Sequence, residues 1–237
     1  MENELKNIKI KLAYDGSKFD GWQKNFENDN SVESHLTKAI KHILNEEIVL
    51  YAASRTDKGV HSLGQVVNFR TLKKINLFNF KQSLRNMLDY IYIIDIDYAP
   101  IFFHSRQNAI GKKYVYQIWN SEEIERTYYP YCWHIKKRLD YELMQEYCNL
   151  FCGKRDFKNL SRTDKENTIR NIFDIKIRNF YPLLLIEITG ESFLYNMVRC
   201  IVGNLILLTT GEITLYDAYR RHLIAPAQGL FLQEVYY

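Results

Sequence analysis

The sequence predicts an α+β protein built from two tandem β-α-β-β-α-β halves, each an antiparallel sheet with its helices on one face, in the ferredoxin-like or RRM-like manner. Three observations predict it. Alternating apolar residues mark strands, and apolar residues spaced three and four apart behind capping side chains mark helices. The same order of segments then occurs twice. The 237 residues, 46% hydrophobic, suffice for one large core or two smaller ones.

In the first half, residues 1–108, Ile8, Ile10, Leu12 and Tyr14 alternate and predict a strand with one buried face. Ser31 is placed to cap a helix whose Val32, Leu36, Ala39, Ile40 and Ile43 form one stripe. Strands are expected near Ile48–Ala53 and over Gln65–Arg70, with a polar segment between them. A helix over Leu77–Leu88 and a strand over Ile91–Tyr98 complete the half.

The second half, residues 109–237, opens with a strand over Lys112–Trp119. Asp140 caps a helix that turns Leu143, Met144, Tyr147, Cys148 and Phe151 inward. Strands follow over Thr168–Arg178 and Leu183–Thr189, then a long apolar helix over Phe193–Thr209 that stops at Gly211. Thr214 is placed to cap a short helix reaching Leu223, and Leu230–Tyr236 is the last strand. No low-complexity linker separates the halves, so they are expected to flank a shared central cleft.

Composition narrows the function less than it narrows the fold. A formal charge of +4 is mildly basic and does not by itself name a nucleic-acid partner. Cys132, Cys148, Cys152 and Cys200 form no C-x-x-C pair; Cys148 and Cys152, four apart, could be soft metal ligands, but no matching His pair lies nearby, so the four read as buried thiols and no metal is expected. The polar start, Met1-Glu2-Asn3-Glu4, does not read as a signal peptide, and no apolar run reaches the ~20 residues that cross a bilayer. The expectation is a cytoplasmic protein without a membrane partner.

Chemistry is expected in the loop Ser54-Arg55-Thr56-Asp57-Lys58-Gly59-Val60-His61. Asp57 stands at a turn between Arg55 and Lys58, and cations on either side favour an ionised carboxylate ready to act as a nucleophile. An Asp ahead of Gly in a β-β connection also shapes turns without any catalytic duty, and four letters alone favour that reading.

The longer string resembles the catalytic motif of the tRNA pseudouridine synthase A (TruA) family at Ala53, Arg55, Thr56, Asp57, Gly59, Val60, His61, Gly64, Gln65 and Val66. Ser54 stands where the family has Gly, which is expected to tighten the turn if that position needs a positive φ. Further blocks are similar in family order: Tyr14-Asp15-Gly16, Gly21-Trp22-Gln23, Phe103-His104-Ser105-Arg106, Lys112-Lys113-Tyr114, Met197-Val198-Arg199 and Ala225-Pro226-Ala227-Gln228-Gly229-Leu230.

The resemblance implies the pseudouridine synthase fold and a cofactor-free isomerisation of uridine to pseudouridine in RNA, with Asp57 as nucleophile. Asp57 would add to the sugar, add to the base or support a glycal route. Arg199 is expected to pair with Asp57; flanked by Val198, Cys200 and Ile201, it also reads as a cation with a buried partner. Tyr114 is expected to pack on the target uracil, offsetting the few kcal/mol that unstacking a base costs, and Tyr116 lies on the same face of its strand. Arg55 would displace the base or hold a phosphate, an ordinary surface role being equally open. Lys58, His61, His104, Arg106, Lys112, Lys113 and Tyr116 are expected RNA contacts, the two histidines being loop-fixing or RNA-contacting rather than general bases.

The family's usual substrate is the tRNA anticodon stem-loop, and its usual state is a homodimer; Tyr128, Tyr129, Tyr131 and Trp133 would serve such an interface or complete the core. An enzyme acting on ribosomal RNA is the alternative, with which Ser54 and a shortened segment near Asp97–Phe102 are compatible. A non-catalytic RNA-binding protein is the third reading, and retention of Asp57, Tyr114 and Arg199 argues against it. The string Ser161-Arg162-Thr163-Asp164-Lys165 repeats the letters of residues 54–58 but lacks the following Gly-Val-His. Asp164 is accordingly read as surface loop.

Overall fold

The computed structural model describes residues 4–23, 30–164 and 166–237; the first three residues of the polar start and Lys165 of the repeated string lie outside these. The fold is α+β, with four α-helices among the described residues. The chain divides into two units, Met1–Ile110 with Leu232–Tyr237, and Gly111–Phe231.

In the first unit β1 (Lys6–Tyr14) is central, pairing antiparallel with β3 (His61–Thr71) and with β4 (Ile91–Ala99). The short β2 (Tyr51–Ala52) and the last strand, β10 (Leu230–Tyr236), both pair with β3. Helices α1 (Val32–Leu44) and α2 (Leu77–Met87) cover one sheet face: Leu36, Ile40, Phe80 and Leu84 pack with Ile8, Ile10, Leu12 and Phe69 in one core. Each such side chain stabilises the fold by about 1.5–3 kcal/mol when fully buried. Ser31 caps α1 by accepting from the Ser34 amide, and Asn76 caps α2 by accepting from the Asn79 amide.

Two segments depart from expectation. The strand expected over 48–53 shrinks to Tyr51–Ala52, because Ile48 and Leu50 turn into the core while only Tyr51 and Ala52 find ladder partners, at Asn68 and Val67. Residues Leu232–Tyr237 count with the first unit, whereas the sequence reading groups the last strand with the second half. Ser62 Oγ donates to the Leu232 carbonyl (3.2 Å), and the Ile110 amide donates to Tyr236 (2.9 Å). Alternation predicts such a strand without saying which sheet it joins.

The second unit orders its strands β5 (Gly111–Trp119), β9 (Leu183–Gly190), β8 (Ile169–Phe180) and β7 (Gly153–Asp156), all antiparallel neighbours. The two-residue β6 (Trp133–His134) runs parallel to the end of β5. Both β6 and β7 are absent from the sequence reading: one is too short to show a period, and β7 is exposed along its whole length. Helix α3 (Tyr141–Cys148) is capped by Asp140, which accepts from the Glu142 and Leu143 amides. Helix α4 (Met197–Thr209) is buried almost all round. It starts at Met197 rather than Phe193 because Asn196 takes a left-handed φ of 61°.

The helix expected from Thr214 to Leu223 is only a 3-10 turn, Leu215–Asp217. Asn204, fully buried on α4, donates to the carbonyls of Ala218 (2.9 Å) and Arg220 (2.6 Å), taking acceptors that a continuing helix would use. Among the described residues no helix is long and apolar enough to cross a membrane. Cys132, Cys148 and Cys200 are buried and Cys152 is half-buried; burial pushes the Cys132 and Cys200 thiols up to about 11, well away from reactive thiolates.

Candidate active site

In the first unit the polar residues between β2 and β3 form a tight turn closed by the Val60 amide on the Asp57 carbonyl (3.1 Å). Gly59 sits in it with φ of 80°, a conformation glycine adopts without steric cost. Asp57 is half-buried and Arg55 exposed. The turn is braced from several directions. The Trp22 amide donates to the Thr56 carbonyl (3.0 Å), and Tyr14 shares a buried hydrogen bond with Thr56 Oγ1 (2.8 Å). Gln65, fully buried, clamps Ser54: its Oε1 accepts from the Ser54 amide (3.2 Å) and its Nε2 donates to the Ser54 carbonyl (2.6 Å).

Gly16 lets β1 approach the same turn. A Cβ there would lie 2.0 Å from the Val60 carbonyl oxygen, which no side chain survives without moving the backbone. The matched tripeptides around Tyr14 and Trp22 therefore have a shared task, which is to hold the backbone on either side of Asp57.

Lys58 pairs with a carboxylate from another segment, Asp20. Its ammonium lies 2.6 Å from Asp20 Oδ1 and is 78% exposed, so the pair contributes at most about 1 kcal/mol. His61 is buried and accepts at Nδ1 from the Gly16 amide (3.1 Å), with Asp15 Oδ1 3.2 Å from the same nitrogen. One nitrogen cannot accept from Gly16 and donate to Asp15 at once; the Gly16 hydrogen is fixed by the backbone, so Nδ1 is the acceptor. Of the two roles expected for His61, the buried position fits loop-fixing and removes it from RNA contact.

His104 and Arg106 occupy a separate turn that leans on β2. The His104 ring packs on Tyr51 (centroids 4.6 Å apart), and its Nδ1 accepts from the Arg106 amide (3.1 Å). Buried Asn7, Asn68 and Ser105 fasten the turn: the Ser105 amide donates to Asn68 Oδ1 (2.8 Å), and Asn7 Nδ2 to the Phe103 carbonyl (2.8 Å). Arg106 itself is exposed.

In the second unit Tyr114 and Tyr116 share one face of β5, as expected, but differ in role. Tyr114 is buried edge-on against Phe193, with centroids 5.2 Å apart. Tyr116 is 0% exposed, donates its hydroxyl to the Pro226 carbonyl (2.8 Å), and has its pKa raised far above the usual phenol range by burial. A Cβ on Gly229 would sit 2.6 Å from the Tyr116 ring. The expectation of an RNA contact at Tyr116 is corrected: it is a core residue that shapes the Pro226–Gly229 turn.

Lys113 has a protein partner of its own. It lies on the opposite face of β5, where its ammonium is 2.9 Å from Glu187 Oε2 while Arg178 Nε donates to Glu187 Oε1 (2.9 Å). Burial works against charge on Glu187, yet the hydrogen bonds from Lys113 and Arg178 outweigh it and hold the carboxyl below its usual range. Lys112 is half-buried and has the parity of Tyr114.

Arg199 stands in the first turns of α4 and is half-buried. Its Nε donates to the Ala225 carbonyl (2.7 Å) and its Nη1 to Asn196 Oδ1 (3.0 Å), so two hydrogen bonds fix the guanidinium plane. Ala225 and Pro226 thus hold Arg199 and Tyr116 through successive carbonyls. Sequence reading missed Asn196, Gln65 and the Asn7–Asn68 pair as positioning residues; the only signal available was that Gln65 sits within a matched block and Asn196 directly precedes one. Asp57, Arg55, Lys58, His61, His104 and Arg106 lie in the first unit, and Lys112, Lys113, Tyr114, Tyr116 and Arg199 in the second. Among the described residues no group of three or more His, Cys, Asp or Glu side chains is arranged to hold a metal ion.

A family model described as tRNA pseudouridine synthase matches residues 11–100 and 147–237, spans that include Asp57 and Arg199 but not Tyr114. The tRNA pseudouridine synthase A of Acetivibrio thermocellus is 37% identical over 98% of this chain and 100% of its own length. The tRNA pseudouridine synthase A 2 of Clostridium perfringens is likewise 37% identical over 98% of this chain and 100% of its own. For Bacillus cereus tRNA pseudouridine synthase A 2 the identity is 32%, over 98% and 99%. With a family model matching in both units and relatives aligned over nearly the whole chain, the protein belongs to the tRNA pseudouridine synthase family.

Proposed function

We propose that this protein isomerises uridine to pseudouridine in the anticodon stem-loop of tRNA, with Asp57 as the nucleophile and no cofactor. Family membership supports the reaction, and the observation that carries the residue assignment is the bracing of the Asp57 turn by Tyr14, Gly16, Trp22 and Gln65. A carboxylate held on a backbone fixed this closely is pre-oriented, which is where much of a catalyst's advantage lies.

In this reading Asp57 acts on the target nucleoside so that the N-glycosidic bond breaks. The uracil turns while still bound, and a carbon–carbon bond to the sugar forms. The ring carbon that gains the sugar gives up its proton as the ring nitrogen that lost the sugar gains one. Atoms and charge balance within the substrate, so the sum is an isomerisation. Arg199 supplies the countercharge to Asp57, a role its two fixed hydrogen bonds suit. Tyr114 packs on the uracil. Arg55, Lys58, Arg106 and Lys112 contribute phosphate contacts, and His104 contributes through the turn it closes.

The relatives' names specify tRNA, which favours that substrate over ribosomal RNA. The proposal includes a homodimer, the family's usual state, and a cytoplasmic site of action beside the tRNA pool. Its test is conversion of an anticodon-arm transcript and of a ribosomal RNA fragment by the wild type and by Asp57→Ala. Pseudouridine in the anticodon arm with the wild type alone is expected. Product only in the ribosomal fragment would replace the substrate, and no product from either RNA would leave a binding protein.

A further inference from the structure

We propose that the second unit carries a phosphate pocket, lined by Lys158, Asn159, Ser161, Thr163, Arg220 and Arg221, that grips a phosphodiester of the RNA substrate next to the target nucleotide. The inference deepens the pseudouridine synthase reading, from which it takes the identity of the RNA. The hollow is open and holds about 500 Å³. Three cations and several polar groups on one concave wall are what a phosphate oxygen cluster requires, arginine for its fixed fork and lysine for its point charge.

The wall is built rather than incidental. Arg221 Nη1 donates to the Ser161 carbonyl (2.7 Å), which fixes the guanidinium against the 161–163 backbone. Ser161 is buried and donates its hydroxyl to the Lys158 carbonyl (2.9 Å), closing the turn that presents Lys158. The segment carrying Arg220 and Arg221 is anchored from beneath by buried Asn204, through the carbonyls of Ala218 and Arg220. Arg220 lies 3.4 Å from Asp217 Oδ1 and over the Tyr216 ring (5.3 Å), so one of the three charges is partly offset. Lys158 also has a carboxylate near it: Asp156 accepts from the Lys158 amide (2.9 Å) and feels the charge of its ammonium.

Position supplies the second argument. The Arg162 amide donates to the Tyr195 carbonyl (3.0 Å), and Tyr195 precedes Asn196, which holds Arg199. Leu223, two residues after Arg221, packs on α4, where a Cβ on Gly203 would lie 2.3 Å from the Leu223 carbonyl oxygen, so the pocket borders the helix that carries Arg199. A strand whose target nucleoside meets Arg199 would lay a neighbouring phosphate here.

The test is the affinity of an anticodon-arm RNA measured from 0.05 to about 0.3 M salt for the wild type, Lys158→Gln, Arg220→Gln and the double variant. Each lost phosphate contact lowers the salt slope by about 0.7–0.9. The double variant is expected to bind about tenfold more weakly at about 0.1 M salt, with a slope shallower by about 1.4–1.8, and each single variant to fall between. Both side chains are exposed, and thermal unfolding reports whether each variant folds; should the double fail, the singles decide. Unchanged affinity and slope would overturn the pocket, as would an equal loss from Arg126→Gln, an exposed cation outside it. Pseudouridine formation by the wild type on the same RNA separates the two readings. An active enzyme with an indifferent pocket refutes the pocket alone; an inactive enzyme with a salt-sensitive pocket refutes the activity alone.

Discussion

The letters Ser-Arg-Thr-Asp-Lys stand at residues 54–58 and again at 161–165, and the two copies are held in opposite ways. In the first, the contacts converge on the backbone around the aspartate: Trp22 and Tyr14 on Thr56, Gln65 on Ser54, and the Val60 amide on Asp57 itself. In the second they converge on the serine. Ser161 is buried and accepts from Arg221, the Arg162 amide reaches Tyr195, and Asp164 beyond them is exposed. The difference teaches that a carboxylate's use follows from what fixes its main chain, since the flanking cations are the same in both copies.

The largest expected effect breaks the comparison if it fails. Asp57→Asn keeps the size and one acceptor oxygen but removes the nucleophile, and pseudouridine formation should fall by at least about 10⁴-fold. Asp164→Asn should stay within about twofold of the wild type. Single-turnover assays on the anticodon-arm RNA check both, and equal losses would mean that the two loops are functionally alike.

Next comes Arg199→Lys. The charge survives, but a lysine carries all its donors on one nitrogen, whereas Arg199 meets Ala225 and Asn196 with two separate nitrogens of a planar fork. A misplacement of about 1 Å costs on the order of 10²-fold in rate. A drop of about 10–100-fold in kcat, with the unfolding midpoint nearly unchanged, is expected; wild-type kcat would show that Arg199 acts only through its charge.

Much of this was legible in the sequence, and the exceptions have physical causes. Ser31, Asp140 and Asn204 illustrate the contrast. The two caps sit at fixed offsets from the helices they start, so local spacing exposes them. Asn204 looks like one polar interruption in an apolar helix, and its partners lie 14 and 16 residues onward, beyond any local rule. Tyr116 failed for a related reason: strand parity shows that it faces the same way as Tyr114, but not that Pro226 and Gly229 close over it. Lys113 needed a partner on another strand, Glu187, to reveal its commitment. Asp57 was found because a string of matched letters marks it, though why those letters are needed emerges only from what Gly16, Trp22 and Gln65 touch.

Gly16→Ala sharpens that last point. The added methyl would collide with the Val60 carbonyl, and backbone cannot swing aside as a flexible side chain would. Overpacking of this kind costs about 1–3 kcal/mol. The variant should melt earlier and lose roughly tenfold in kcat through displacement of the turn. A variant that melts earlier with full kcat would show that the turn's position is not what Gly16 protects.

Ser54→Gly is the smallest change and bears on the departure from the family motif. A serine at a glycine position suggests strain only if the position needs a positive φ, and Ser54 is not among the described non-glycine residues that have one, which are Asn45, Tyr90 and Asn196. The Gln65 clamp reaches the Ser54 main-chain amide and carbonyl, groups that glycine keeps. What glycine changes is the unfolded chain, whose extra freedom costs about 0.5–1 kcal/mol on folding. The unfolding midpoint should therefore fall by about 1–4 °C, and kcat/KM on the anticodon arm should move by less than about twofold. A change beyond tenfold would mean that the serine hydroxyl itself meets the RNA, and would reopen Ser54 as a determinant of which RNA is chosen.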